Sequence, residues 1–125
     1  MTSAMRVALL FIIGGLSTAL ASVPATAQTR GTKGPYGAIA YHAPTQSMGY
    51  TFDYPASRAA KVDALKQCGH EKCEVVVSFR SACGALAAQD GRFAAAEGAT
   101  RAEAEAKATR KCGKDCEIAA WVCTR

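Results

Sequence analysis

Cys68, Cys73, Cys83, Cys112, Cys116 and Cys123 are the residues of this chain whose type and spacing could do chemistry. Two close pairs stand out, Cys68 with Cys73 and Cys112 with Cys116. Structural zinc takes thiolates in pairs about two to four residues apart, so those four sulfurs could in principle form a metal site. A dithiol redox centre needs the tighter two-residue spacing, which neither pair has. A nucleophilic thiolate needs a neighbouring base, and His70 is the histidine that sits between Cys68 and Cys73. The remaining chemistry is oxidation to disulfides, and which of these readings holds depends on the compartment.

The start of the chain decides the compartment. Arg6 precedes an uncharged run from Val7 to Ala21, and Ala25-Thr26-Ala27 follows before Gln28. A basic start, an apolar core and small residues ahead of a cleavage point make a secretory signal peptide over residues 1–27. A membrane anchor is the competing reading. Gly14-Gly15 and Ser17-Thr18 interrupt the run, however, and it is short for a bilayer span. The expected product begins near Gln28, is periplasmic or secreted, and has no stable membrane insertion once the signal is removed. In an oxidising compartment an even number of cysteines reads as a disulfide framework, and zinc loses its thiolates. A small core gains from such staples, at roughly 2–4 kcal/mol each.

Conventional catalysis finds few groups. His42 falls in a hairpin loop and His70 in the short loop between two cysteines, and both read as solvated. The acids stand at helix or strand ends rather than in a facing pair. There is no phosphate-binding glycine loop, nucleophile elbow or zinc-protease helix, so no catalytic residue, metal or cofactor is predicted. Charge adds little. Of 15 basic residues, setting aside Arg6 leaves 14 against 10 acidic ones, scattered without forming a stripe. That pattern reads as a solvated surface rather than a specific nucleic-acid site. Tyr36, Tyr41, Tyr50, Phe52 and Tyr54 cluster in one short region. Such residues serve as stacking platforms elsewhere, but packing of a half-buried sheet is the expected role, and Trp121 reads as core.

The elements that position these residues occur twice. Ser57-Arg58-Ala59-Ala60 opens a helix that ends at Cys68-Gly69, and Cys73-Glu74-Val75-Val76-Val77 follows. Thr100-Arg101-Ala102-Glu103 opens another that ends at Cys112-Gly113, and Cys116-Glu117-Ile118-Ala119-Ala120 follows. Upstream, Gly37-Ala38-Ile39-Ala40 is echoed by Gly84-Ala85-Leu86-Ala87. Ser57 and Thr100 read as N-caps, the latter with Glu103 as a capping box. Gly69 and Gly113 read as left-handed C-caps. Val62, Leu65 and Cys68 read as the buried face of the first helix. Asp90-Gly91 predicts a tight hairpin between Cys83–Ala88 and Arg92–Ala96. Tyr36–Tyr41 and Gly49–Tyr54 form its counterpart. Glu74–Phe79 and Glu117–Cys123 complete the strands.

The predicted fold is therefore α+β: two strand-strand-helix-strand repeats, over residues 36–79 and 83–123. They form a largely antiparallel six-stranded sheet with two helices packed on one face. Residues 28–35 read as a flexible leader, and 36–125 as one disulfide-stapled domain. The repeat favours local bridges in each close pair and a bridge between Cys83 and Cys123. Six cysteines allow many other pairings, which remain open on this reading.

Tyr36-Gly37-Ala38-Ile39-Ala40-Tyr41, Cys68-Gly69, Cys73-Glu74-Val75-Val76, Ala82-Cys83-Gly84-Ala85 and Trp121-Val122-Cys123 together resemble the domain of unknown function 4189 family. The resemblance spans essentially Tyr36 to Thr124. It implies an exported bacterial protein and brings no catalytic residues to carry over. Not every member of that family has the second close cysteine pair. The resemblance thus implies Cys68–Cys73 and Cys83–Cys123 as independent bridges and Cys112–Cys116 as an added one.

The functional expectation is a non-catalytic binding module for a protein or cell-envelope component. An inhibitor-like form would present the loop His42–Met48 to a cleft. The alternative is a secreted effector or enzyme acting on an extracellular anionic substrate, with His70 beside Cys68 and Cys73 as its reactive group.

Overall fold

A computed structural model describes residues 35–125. The expected signal segment and all but the last residue of the expected leader lie outside the described residues. The order is β1 (Tyr36–His42), a single 3-10 turn (Ala43–Thr45), β2 (Ser47–Tyr54), α1 (Ser57–Cys68), β3 (Glu74–Arg80), β4 (Cys83–Gln89), β5 (Arg92–Gly98), α2 (Arg101–Cys112) and β6 (Glu117–Cys123). The α+β class, the repeated strand-strand-helix-strand order and the antiparallel pairing follow the expectation.

The layering is richer than a single sheet. The strands divide into two three-stranded sheets, ordered β2-β1-β3 and β5-β4-β6. The two helices do not share a face. The cause lies in the middle strands, which are apolar on both sides, a pattern that demands cover on both. Ala38 and Ala40 of β1 pack with Ala60, Ala64 and Cys68 of α1. Their neighbours Ile39 and Tyr41 turn the other way and join Phe79, Leu86 and Val122 between the sheets. In β4, Ala85 and Ala87 meet Ala104, Ala108 and Cys112 of α2. The result is helix, sheet, sheet, helix, with one continuous core in the middle and an alanine-rich layer beneath each helix. A single sheet with both helices on one face would have left Ile39 and Leu86 in water.

Both helices lie almost on the strand backbone. A side chain at Gly49 would run into α1 at Ala64 and Cys68, and one at Gly98 would meet α2 at Ala104. Close approach requires alanine on the inner face, so Ala60, Ala64 and Cys68 are the buried residues of α1. Val62, expected inside, is 42% exposed. The Thr51 hydroxyl donates to the Ala60 carbonyl at 2.9 Å and ties β2 to the helix. Between the sheets, the Phe79 ring lies against Gly37 on one side and Gly84 on the other, where any side chain would collide with it.

The caps show where propensity was overruled. Thr100 caps α2 as expected, accepting from the Glu103 N–H at 3.2 Å, while the Glu103 carboxylate accepts from the Ala99 N–H at 3.1 Å. Ala56, not Ser57, is the N-cap of α1, and no side chain bonds there. Gly69 is left-handed, but Gly113 takes φ 103° and ψ −168°, a glycine region outside the left-handed helix.

Three disulfides staple the domain: Cys68–Cys73 and Cys112–Cys116 join each helix end to the strand that follows, and Cys83–Cys123 joins β4 to β6.

Candidate functional site

With Cys68 bonded to Cys73 and Cys112 to Cys116, the four-sulfur zinc grouping does not form. Among the described residues no three of His, Cys, Asp and Glu converge on one point.

The structure does bring the two histidines together. Their rings stack with centroids 4.0 Å apart and planes 10° from parallel. His42 Nδ1 shares a hydrogen bond of 2.7 Å with the Thr45 hydroxyl. His70 Nδ1 accepts the Lys72 N–H at 3.0 Å. Acceptance at Nδ1 places the proton of neutral His70 on Nε2. Desolvation lowers the pKa of His42, and the positive charges of His70 and Lys72 push it the same way. The stack thus joins the β1–β2 loop to the stapled α1–β3 loop and favours a neutral His42 ring. Sequence spacing gave no sign of it, because the two residues are 28 positions apart in the chain and meet through the register of β1 with β3.

The aromatics divide in a way that matters more. Tyr41 is buried, while Tyr36 and Tyr54 pack against the α1 layer. The Tyr54 hydroxyl bonds the Asp63 carboxylate, a contact that raises the tyrosine pKa, assisted by desolvation and by the negative charge. Tyr50 and Phe52 are different, at 46% and 50% exposed. Trp121, expected in the core, is 44% exposed, and Arg101 of α2 lies over its ring at 3.8 Å. Ala85, its partner across the sheet, points into the thin layer under α2, which has no room for an indole.

These three rings line one hollow of about 540 Å³ with Asp53, Val122, Cys123 and Arg125. A second hollow of about 320 Å³ involves Gln46 and Met48 on the β2 side and Glu117, Ile118 and Ala119 of β6. The Asp90-Gly91 turn borders it. Both strands start at the second hollow and end at the first, so they run in the same direction along one side of the sandwich. Met48, Tyr50 and Phe52, every second residue of β2, form one wall of the resulting furrow, with Gln46 of the preceding turn at its start. The Arg125 N–H donates to Asp53 at 2.9 Å and closes its far end.

The repeat provides an internal control. Ile39 in β1 corresponds to Leu86 in β4, and their partners in the next strand are Tyr50 and Ala95. Glu97, opposite Gly84, takes the place of Phe52. Ser78, opposite Ala38, takes the place of Trp121, which stands opposite Ala85. The fold is therefore satisfied by Ala, Glu and Ser at the three positions where this side of the molecule exposes aromatic rings.

Comparison with known proteins agrees with the architecture. The model of the family described as "Domain of unknown function (DUF4189)" matches residues 36–123. Protein Rv1269c of Mycobacterium tuberculosis is 43% identical over 88 residues, which is 70% of this chain and 68% of that protein. Uncharacterized protein Rv1813c of the same organism is 35% identical over 88 residues, covering 70% of this chain and 59% of that one. The NMR structure of Rv1813c is similar, with a TM-score of 0.59 at 28% identity over 98% of each chain.

Proposed function

We infer that this chain, which belongs to the DUF4189 family, is an exported, non-catalytic binding module for a protein or cell-envelope component, and that its ligand seats in the furrow between β2 and β6. One observation carries the reading: Tyr50, Phe52 and Trp121 are exposed together where the duplicated half has Ala95, Glu97 and Ser78. Large rings held in water on a rigid scaffold contribute binding energy at low entropic cost. Export is supported by the signal-like start of the sequence and by the three disulfides. No helix among the described residues is long and apolar enough to cross a membrane.

An inhibitor-like version gains support from the loop after β1, since Ala43, Gln46 and Met48 border the smaller hollow. The alternative of a secreted enzyme on anionic substrates rests on His70, whose Nδ1 is engaged by Lys72 and whose ring is stacked on His42.

The test is retention of envelope or culture-fluid components by the immobilised oxidised protein and by a Tyr50→Ala/Phe52→Ala/Trp121→Ala variant of equal thermal stability. The reading expects a specific component held by the parent and released by the variant. Equal retention would remove the furrow from consideration, and no retention by either would remove the binding role. If His70→Ala abolished a hydrolytic activity of the parent, the enzymatic alternative would replace it.

A further inference from the structure

Resting on that reading, we propose that the furrow takes an extended polypeptide segment, added as a strand along the open edge of β6. The bridge partners Cys83 and Cys123 stand directly opposite, with Cα atoms 4.0 Å apart. That spacing belongs to a pair that exchanges no backbone hydrogen bonds. One residue further on, the Thr124 N–H bonds the Ala82 carbonyl at 2.9 Å. Alternation then directs the backbone groups of Trp121 and Cys123 away from β4, toward the furrow. Among the described residues nothing bonds to them. The facing strand is not equally open, because the Tyr50 N–H donates to the Gln67 side chain at 3.3 Å. An unpaired edge of this kind is a template for another strand.

The side chains fit the same occupant. Met48, Tyr50 and Phe52 repeat at every second residue of β2, the period of an extended peptide. Their span of about 13 Å matches roughly four residues of strand. Charge fixes its character. The chain carries a net +5, yet Asp90 and Glu117 both line the smaller hollow with no basic partner among the described residues. The occupant is therefore a segment apolar at alternate positions, with a lysine or arginine at the end that reaches Asp90 and Glu117. A glycan chain could stack on the rings but would leave the strand edge and its alternation unused.

The probe is a phage-displayed library of random linear dodecapeptides, panned on the oxidised full domain. The proposal expects enriched sequences with apolar residues at alternate positions and a basic residue at one end. A peptide made from them should shift the amide signals of Trp121 and Cys123 and slow their exchange. Methylating its alternate backbone nitrogens should weaken binding by about tenfold or more, with side chains unchanged. Phe52→Ala should weaken it too, Val62→Ala on the remote face of α1 should not, and Glu117→Lys should select acidic ends in place of basic ones. Enrichment without alternation, or methylated peptides that bind as well as the parent, overturns the proposal. A parallel titration with soluble cell-wall oligosaccharides separates the two levels. If they shift Tyr50, Phe52 and Trp121 while peptides do not, strand addition is wrong and the furrow stands. If neither shifts them, both fall.

Discussion

Removing one disulfide at a time should rank the three bridges by the chain they enclose. Cys83–Cys123 spans 40 residues, while Cys68–Cys73 and Cys112–Cys116 span 5 and 4. In the chain-entropy account, the stabilisation grows with the logarithm of loop length. It comes to about 4 kcal/mol for the long bridge and about 2 kcal/mol for each short one. Burial of the sulfurs does not confound the comparison strongly, since Cys83, Cys68 and Cys112 are all nearly covered. The perturbation is a pair of Cys→Ala substitutions, with Cys83 and Cys123 replaced in one variant and Cys68 and Cys73 in another. Urea unfolding of the oxidised proteins gives the free energies. Thermal unfolding should place the long-bridge variant roughly 8–16 °C below the short-bridge one, at 4–8 °C per kcal/mol for a domain of this size. The difference should vanish once all remaining bridges are reduced. If the Cys83 and Cys123 variant is no less stable than the Cys68 and Cys73 variant, the denatured-state argument is refuted. The long bridge would then act through local strand geometry alone.

Four further outcomes follow from the packing and the charges. On α1, Val62→Lys should change stability by less than about 0.5 kcal/mol, whereas Ala64→Leu should cost about 1–3 kcal/mol by lifting the helix off Gly49; urea unfolding reads both. Thr100→Ala should cost about 1 kcal/mol by removing the α2 cap. The Glu103 pKa is lowered first by its hydrogen bond to Lys107 and then by the Ala99 N–H, so its contribution is present above the ordinary glutamate range and lost as pH falls through the folded value. Glu103→Gln should flatten the acid limb of the stability curve there. For His42, a lowered pKa means that acidification favours the unfolded chain and loosens the stack below pH 6.5. In His70→Ala, NMR titration of the ring should show its midpoint moving upward, and an unchanged midpoint would mean that the neighbouring imidazole plays no part.

Much of the fold was legible because it is written twice. The order of strands and helices came from local signals that the second copy repeats, the Asp90-Gly91 hairpin from its own turn residues, while the α1 N-cap and the Gly113 conformation departed from theirs. What misled was size. Val62 looks like part of a buried stripe with Leu65 and Cys68, yet a helix pressed on glycine buries alanine beside them and leaves Val62 outside, and nothing local to α1 announces that pressure. The split into two sheets was readable in principle from Ala38-Ile39-Ala40 and Ala85-Leu86-Ala87, strands with no polar face. It was obscured because small alanines say little about which side they cover. The furrow was the least legible feature. Tyr50 and Phe52 belong to one repeat and Trp121 to the other, and only the packing of sheet on sheet places them side by side.

Duplication also says what the exposed rings are not. In a molecule with two-fold internal repetition, a requirement of the fold acts on both copies. Gly37 and Gly84 meet it together by flanking Phe79, and Ala60 and Ala64 meet it as Ala104 and Ala108 do. Tyr50, Phe52 and Trp121 break the pattern, with Ala95, Glu97 and Ser78 in their places and a smaller hollow of about 210 Å³ beside Ser78 and Glu97. An aromatic left half in water costs solubility and offers an edge for unwanted association. A fold that does not need it on one side does not need it on the other. The other side also exposes a ring, Phe93 of β5 at 43%, but the cluster of Tyr50, Phe52 and Trp121 has no counterpart there, and contact with an extended, partly apolar ligand is the task we propose for it.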